Sequence, residues 1–363
     1  MQSYPLNSLK EGSWFKLICG ASYQHLPAVR SLALVYTLAG ADCIDVAADP
    51  AVIRAANEGI GVAQQIQNNR HLGSSNLPLL MVSINDGEDP HFRKAQLDLA
   101  SCPEDCPQPC VRVCPASAID LALGGVIKDL CYGCGRCEPI CPQNAIANHS
   151  YRTSLESIGS WIESLAVDAI EIHTQVEHYN DFKRVWHSIA PLADRLKLLA
   201  ISCTDAPNVI EYLRSLYQLI SPLPCPLIWQ TDGRSMSGDI GKGTTHETIS
   251  FANKVLQARL PGYIQLAGGT NNYTVNKLKQ TNKIGEKDIS GDRVSGIAYG
   301  SYARAILAPT IAKLETELLS NQLIKIQNRP MNQPSKLEHQ PELLEQAVAT
   351  ATQLVSQIKT AQS

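Results

Sequence analysis

Eight short apolar runs, each followed by a stretch of helical character, recur along this chain of 363 residues, and a single cysteine-dense segment interrupts them. The runs are FKLICGAS (15–22), CIDVAAD (43–49), LPLLMVSI (77–84), DAIEIHT (168–174), LKLLAISC (196–203), PLIWQTD (226–232), GYIQLAGGT (262–270) and VSGIAYGS (294–301). Continuous apolar character suits parallel strands covered on both faces. The stretches between them place apolar residues at helical spacing, as with Leu26, Val29, Ala33 and Tyr36. Gly40 stops that helix, Asp49-Pro50 opens the next as N-cap and first residue, and Thr153 with Glu156 forms a capping box before Ile158, Ile162 and Leu165. Further helices are expected near 178–193, 208–220, 244–258, 271–282 and 302–318. Eight strand–helix units predict an α/β fold, a (β/α)8 TIM-like barrel. An open α/β sheet is the alternative, although the first turn, CGASYQ, lacks the G-x-G-x-x-G of a dinucleotide fold.

The interruption falls after the third strand, over about 86–150. It contains CPEDCPQPCVRVCP (102–115) and CYGCGRCEPICP (131–142). The second is the C-x2-C-x2-C-x3-C-P run of bacterial ferredoxins, in which three cysteines wrap one cluster and the fourth reaches across to another. By that logic Cys131, Cys134, Cys137 and Cys114 hold one cluster, while Cys102, Cys106, Cys110 and Cys141 hold the other. Gly133 and Gly135 keep side chains off the binding loop. Between the halves, AIDLALGGVIKDL reads as strand, turn and strand, with Gly124-Gly125 as the turn. The segment is therefore expected to be a ferredoxin-like α+β insert with two iron–sulfur clusters. At least one is [4Fe–4S]. The first motif has spacings of three, three and three, which leaves its cluster as [4Fe–4S] or [3Fe–4S]. Zinc is the competing ligand for a C-x2-C pair, but x2-x2 spacing followed by Cys-Pro is poor zinc-finger geometry. Disulfides are the weaker alternative for a chain read as cytoplasmic.

The expected divisions are thus 1–85 and 151–322 for the barrel, 86–150 for the insert, 323–341 for a polar, proline-broken linker and 342–363 for a C-terminal amphipathic helix. That helix carries Leu344, Val348, Ala351, Val355 and Ile358 on one face. It either packs on the barrel or meets a partner. A net charge of −3 gives no electrostatic case for nucleic acid. No apolar run approaches the ~18 residues of a membrane span, and the N-terminus lacks the pattern of a signal peptide.

Barrel ligands bind where strands run into helices, so the insert is expected over the barrel mouth. Polar groups at strand ends include Glu171, His173, Gln230 and Asp232. Gly268, Gly269, Gly300, Ser301 and Arg304, after the seventh and eighth strands, are candidates for a phosphate or flavin site. The loop IGKGTT fails as a P-loop because Gly243 stands where Ser or Thr must follow Lys242. Cys19, Cys43, Cys203 and Cys225 read as buried structural thiols.

The opening segment WFKLICGASYQHLPAVRSLALVYTLAGADCIDVAADPAVI, the double cysteine block and IWQTDGRSMSGDIGKGTTHETI resemble the light-dependent period protein (LdpA) family of cyanobacteria over nearly the whole chain. The resemblance implies an iron–sulfur protein that couples cellular redox state, and so light intensity, to circadian period. Clock or clock-input proteins and redox carriers would be its partners. It supplies no catalytic residues. The rival expectation is an iron–sulfur oxidoreductase, with flavin or a small substrate at the barrel mouth.

Overall fold

The computed structural model describes the chain apart from residues 1–3, 20–24, 70–76, 88–92, 104, 115–116, 129, 132–134, 136, 151–154, 234–242, 282, 285–292, 326–335 and 360–363. Its strands, in chain order, are β1 (Trp14–Ile18), β2 (Cys43–Ala47), β3 (Leu79–Asn85), β4 (Arg93–Leu97), β5 (Ile119–Asp120), β6 (Gly125–Val126), β7 (Ile146–Ser150), β8 (Ala169–Thr174), β9 (Leu198–Thr204), β10 (Leu227–Asp232), β11 (Tyr263–Ala267) and β12 (Gly296–Tyr299). The eight apolar runs close into one barrel in the order β1-β12-β11-β10-β9-β8-β3-β2, and all its pairings are parallel. The open-sheet alternative is thereby excluded. Closure brings β12 so near β1 that a Cβ on Gly296 would lie 2.5 Å from the Trp14 carbonyl oxygen, which explains a glycine there.

The helices are α1 (Tyr4–Glu11), α2 (Leu26–Leu38), α3 (Pro50–Asn69), α4 (Pro109–Val113), α5 (Ile158–Ser164), α6 (Tyr179–Ile189), α7 (Val209–Ile220), α8 (Thr245–Gln257), α9 (Thr274–Gln280), α10 (Ser301–Lys325) and α11 (Pro341–Lys359). Asp49 caps α3 as expected, its Oδ1 accepting the Ala51 amide at 2.8 Å. The capping residue Thr153 lies outside the described residues. Among the described residues no helix is long and apolar enough to cross a membrane.

The barrel interior is graded. Its floor is apolar: Leu9 from α1 meets Trp14, Cys43, Leu79, Met81, Ala169, Leu198, Ala200 and Ile228. One layer higher, period-two alternation along the strands places Lys16, Asp45, Glu171, Gln230 and Gln265, all buried. A barrel filled for stability alone would carry branched apolar residues in this layer.

Between β3 and α5 lie two small antiparallel sheets. One is β4 with β7; the other is β5 with β6. The β5–β6 turn occupies residues 121–124. Gly125 therefore begins the returning strand rather than sharing the turn, although Gly124 and Gly125 both have positive φ. The tail helix packs on the barrel through Leu343, Leu344, Ala347, Ala351, Leu354, Val355 and Ile358. Its two ends are pinned: Glu338 takes a two-pronged bond from Arg30 of α2, at 2.9 and 2.5 Å, and Lys359 reaches both oxygens of Asp42, at 2.7 and 2.6 Å.

Candidate iron–sulfur centre and barrel mouth

Two halves of the insert repeat the same backbone. Gln108 and Gly135, each two residues before a cysteine, have φ of 52° and 73°. Ser117 and Asn144, each three residues after a Cys-Pro cysteine, have φ of 48° and 52°. The Ala118 amide donates to Cys114 Sγ at 3.2 Å, and the Ala145 amide donates to Cys141 Sγ at 3.3 Å. Left-handed residues turn amides inward, and amide hydrogen bonds to sulfur are one of the protein's means of tuning an iron–sulfur cluster. A third such bond runs from the Ala95 amide to Cys131 Sγ, at 3.4 Å.

Cysteines of the two runs lie close to one another. The Cys102 thiol is pushed up from its ordinary range by partial desolvation and then by the neighbouring Cys106, Cys110 and Cys141 thiols. Cys110 is raised by burial, with Cys141 and Cys106 adding to it. Cys141, though part of the downstream run, thus lies near Cys102 and Cys110 of the upstream run. Cys110, Cys131 and Cys137 are buried together with Ala95, Ala118, Ile119 and Ile146, and Cys114 and Cys141 pack against this one group. Cys134 lies outside the described residues. Four soft thiolates crowded together repel one another, and a bound cationic iron–sulfur core removes that cost. The donors fit the group. Among the described residues no three His, Cys, Asp or Glu side chains are arranged to hold a single metal ion.

The insert is tied to the barrel at the ends of the strands. Lys94 of β4 sets Nζ 2.6 Å from Oδ2 of Asp49, just beyond β2. The same ammonium bonds the Lys128 carbonyl, in the turn that leads to Cys131.

The polar layer of the barrel is knit around Lys16. Its ammonium bonds Glu171 Oε2, accepts the company of Asp45 Oδ2 at 3.3 Å and donates to Gln230 Oε1 at 3.0 Å. Gln265 donates to Gln230 Oε1 at 2.6 Å and receives Trp14 Nε1 at 2.7 Å; Gln230 donates to Glu171 Oε1 at 2.7 Å. Ser83 donates to Asp45 at 2.6 Å, and Ser202 donates to Asp232. Burial works against the Lys16 charge, but Asp45 and Glu171 outweigh it and raise its pKa. Burial lifts Asp45 and Asp232 to about 6, against the pull of Lys16 on the first and of His173 on the second. Glu171 is also desolvated, yet Lys16 and His173 hold it below the usual carboxylate range. His173 stands above, its Nε2 3.1 Å from Glu171 Oε1 but out of line for a hydrogen bond. The strand-end polar residues Glu171, His173, Gln230 and Asp232 therefore form one network. Its hub, Lys16, escapes a search for strand-end groups because it sits mid-strand. The period-two position of Lys16 in WFKLI and of Asp45 in CIDVA is the signal that finds both.

The glycine candidates lie apart from this network. Gly268 and Gly269 follow β11 on left-handed backbone, with φ of 64° and 93°. A Cβ on Gly269 would lie 2.6 Å from the Thr244 carbonyl oxygen, so close packing also accounts for that glycine. Gly300 ends β12 and Ser301 opens α10. Arg304 donates to the Ile18 carbonyl at 3.0 Å and to Ser301 Oγ at 3.2 Å, bracing the end of β1 against α10. Cys19, Cys43 and Cys203 are buried, and Cys225 is half-buried.

Comparison with known proteins supports an iron–sulfur segment at the cysteine block. Residues 102–152 match the LdpA Fe-S cluster-binding domain, and residues 161–357 match the Light dependent period A C-terminal domain. Light dependent period A of Synechococcus elongatus is 46% identical over 359 residues, covering 99% of this chain and 95% of that protein. Among solved structures, (S)-3-O-geranylgeranylglyceryl phosphate synthase from Thermoplasma acidophilum matches with 11% identity and a TM-score of 0.37, covering 97% of this chain and all of that one. An HpcH/HpaI aldolase from Desulfitobacterium hafniense DCB-2 matches with 11% identity and a TM-score of 0.39, covering 91% and 99% of the two chains. The chain, an iron–sulfur protein on a closed (β/α)8 barrel, belongs to the Light dependent period A family.

Proposed function

We propose that the protein is an iron–sulfur redox sensor in an input pathway to the circadian clock. It couples cellular redox state, set by light intensity, to clock period. The carrying observation is the repeated amide-to-thiol bond in the two halves of the insert, Ala118 to Cys114 Sγ and Ala145 to Cys141 Sγ. Such a repeat supports a two-cluster ferredoxin-like unit. In this reading Cys102, Cys106, Cys110 and Cys141 hold cluster 1, as [4Fe–4S] or [3Fe–4S], and Cys114, Cys131, Cys134 and Cys137 hold a [4Fe–4S] cluster 2. A bound cluster supplies a one-electron change of charge, which biases any element with different contacts in the two states. Clock-input proteins and soluble redox carriers are its expected partners, in the cytoplasm.

The test is EPR of anaerobically purified protein, oxidised and reduced, with iron content and absorbance. Two interacting [4Fe–4S] signals support the eight-ligand assignment. A three-iron signal in undamaged oxidised protein assigns a three-cysteine role to the first motif. Zinc without iron defeats the proposal.

One observation favours a second reading, an oxidoreductase: the barrel carries a connected polar network of Lys16, Asp45, Glu171, Gln230, His173 and Asp232 at the end where the insert is tied on. Flavin held by Gly268, Gly269, Gly300, Ser301 and Arg304 belongs to this reading. Flavin bands in the purified protein, lost in Gly269→Val, would move the assignment to an enzyme.

A further inference from the structure

Leu99, Leu123, Ile140 and Tyr273 are the large apolar side chains left exposed among the described residues. Two of them flank one cysteine set. Leu99 is 42% exposed and its carbonyl accepts the Cys102 amide at 3.1 Å; Ile140 is 46% exposed and immediately precedes Cys141. Pro103 and Pro107, beside Cys102 and Cys106, are exposed as well. Cys102, Cys106 and Cys141 are half-buried and Cys110 is buried; of the other set, Cys131 and Cys137 are buried and Cys114 is half-buried. The two cysteine sets are therefore unequal. One opens to solvent through an apolar collar. The other lies next to the strand that grips the barrel.

The collar has a charged rim of mostly one sign. Asp98, Asp105 and Glu138 are exposed around it, with Arg112 as the described cation nearby. Two of these carboxylates are held in place. Asp98 receives the Ala100 amide at 3.1 Å and Ser101 Oγ at 2.6 Å, and Glu138 receives Asn148 Nδ2 at 2.5 Å. A fixed acidic rim steers an oppositely charged partner into register, and an apolar centre sheds water on contact.

We propose that this face, centred on Leu99 and Ile140, docks a soluble electron-carrier protein whose own redox centre opens at an apolar spot ringed by lysines or arginines. The proposal rests on the iron–sulfur reading above. One electron leaves the reduced centre on one side of the contact and reduces the centre on the other; no bond forms and no proton moves. Complexes of this kind are small and short-lived, so their strength shows in rates rather than in isolated complexes.

The experiment uses the full-length protein, anaerobic and dithionite-reduced, mixed in a stopped-flow instrument with a basic c-type cytochrome and, separately, with an acidic flavodoxin. Iron content and midpoint potential are measured on every variant. Asp98→Asn, Asp105→Asn and Glu138→Gln combined should slow cytochrome reduction about tenfold at low ionic strength and flatten its decline with salt. Leu99→Ser with Ile140→Ser should slow it several-fold, and Leu123→Ser, on the β5–β6 turn, should leave it unchanged. Wild-type rates in both multiple variants would overturn the proposal. So would faster transfer to flavodoxin, a midpoint shift large enough to explain the loss, or sedimentation showing this face closed in a dimer of the chain. Protein without iron would instead overturn the iron–sulfur reading, and the docking face with it.

Discussion

Lys94 and Cys131 are joined through a single peptide unit: Lys94 pairs with the buried Asp49 of the barrel at 2.6 Å, and the amide of the next residue, Ala95, points at Cys131 Sγ from 3.4 Å. A cysteine of the insert and a carboxylate at the barrel rim thus share one strand. Replacing Lys94 by Met removes the cation from beside Asp49, whose side chain is fully buried. The expected cost is about 2 kcal/mol in urea unfolding. Loss of the cation also disfavours an added electron nearby, so the midpoint of the centre that Cys131→Ser perturbs should move to more negative potential in a redox titration. Lys94→Arg should recover most of both effects. An unchanged potential in Lys94→Met would show that rim and cluster are not coupled electrostatically.

Lys16 carries an ammonium into the barrel's polar layer, where it faces Asp45, Glu171 and Gln230. Lys16→Met leaves two buried carboxylates without their cation, a change of about 3–5 kcal/mol. Both carboxyls then rise, because burial has lost its chief opponent. The variant should therefore regain stability as pH falls from 7 to 5. Adding Glu171→Gln should restore part of the loss at pH 7. Urea midpoints at the two pH values provide the check, and a loss under 1 kcal/mol would contradict the hub role.

Asp45 has its own pH signature. Burial raises its folded-state pKa to about 6, against about 3.9 unfolded. A carboxyl raised on folding binds a proton more readily in the native state. Its contribution is present in full below about pH 4 and is lost as pH rises through about 6. Stability of the wild type relative to Asp45→Asn should therefore decline between pH 5 and 7, by on the order of 1 kcal/mol. A difference that is flat, or that grows with pH, would show that Lys16 keeps Asp45 ionised throughout.

The barrel was legible because its strands are apolar on both faces and each is followed by a helix with conventional punctuation, such as Asp49-Pro50. The iron–sulfur character of the insert was legible from cysteine spacing. The β4–β7 pair was not. Arg93–Leu97 is RKAQL and Ile146–Ser150 is IANHS, neither with strong strand character; only the tertiary setting pairs them. Lys16 was equally hidden. A single lysine among apolar neighbours reads as local noise until closure puts it opposite Glu171, 155 positions away. The tail helix left two outcomes open, since an amphipathic face is the same whether it meets the barrel or a partner. Its buried face and the pinning of both ends decide for the barrel.

That pinning is unequal in strength. Lys359 meets Asp42, whose side chain is fully buried and also accepts the Phe15 amide at 2.7 Å. Lys359→Met should cost about 2 kcal/mol. Lys336 pairs with the exposed Glu58 at 2.6 Å, and Lys336→Met should stay within about 0.5 kcal/mol. Equal effects of the two substitutions in thermal unfolding would contradict this ordering.

Cys141 offers the sharpest test of the crossing. In sequence it completes the downstream run, and a cluster built from that run alone would lose its fourth ligand in Cys141→Ser. In space it neighbours Cys102 and Cys110, which the crossing groups with Cys106. The variant should therefore perturb the EPR signal that Cys106→Ser perturbs, and spare the one affected by Cys137→Ser. Serine is a harder donor than thiolate, so the affected cluster should lose an iron or shift to lower potential rather than vanish. Cys114→Ser should do the converse, although it lies in the upstream run. If Cys141→Ser and Cys137→Ser alter the same signal, each run closes on itself and the two-cluster crossing is wrong.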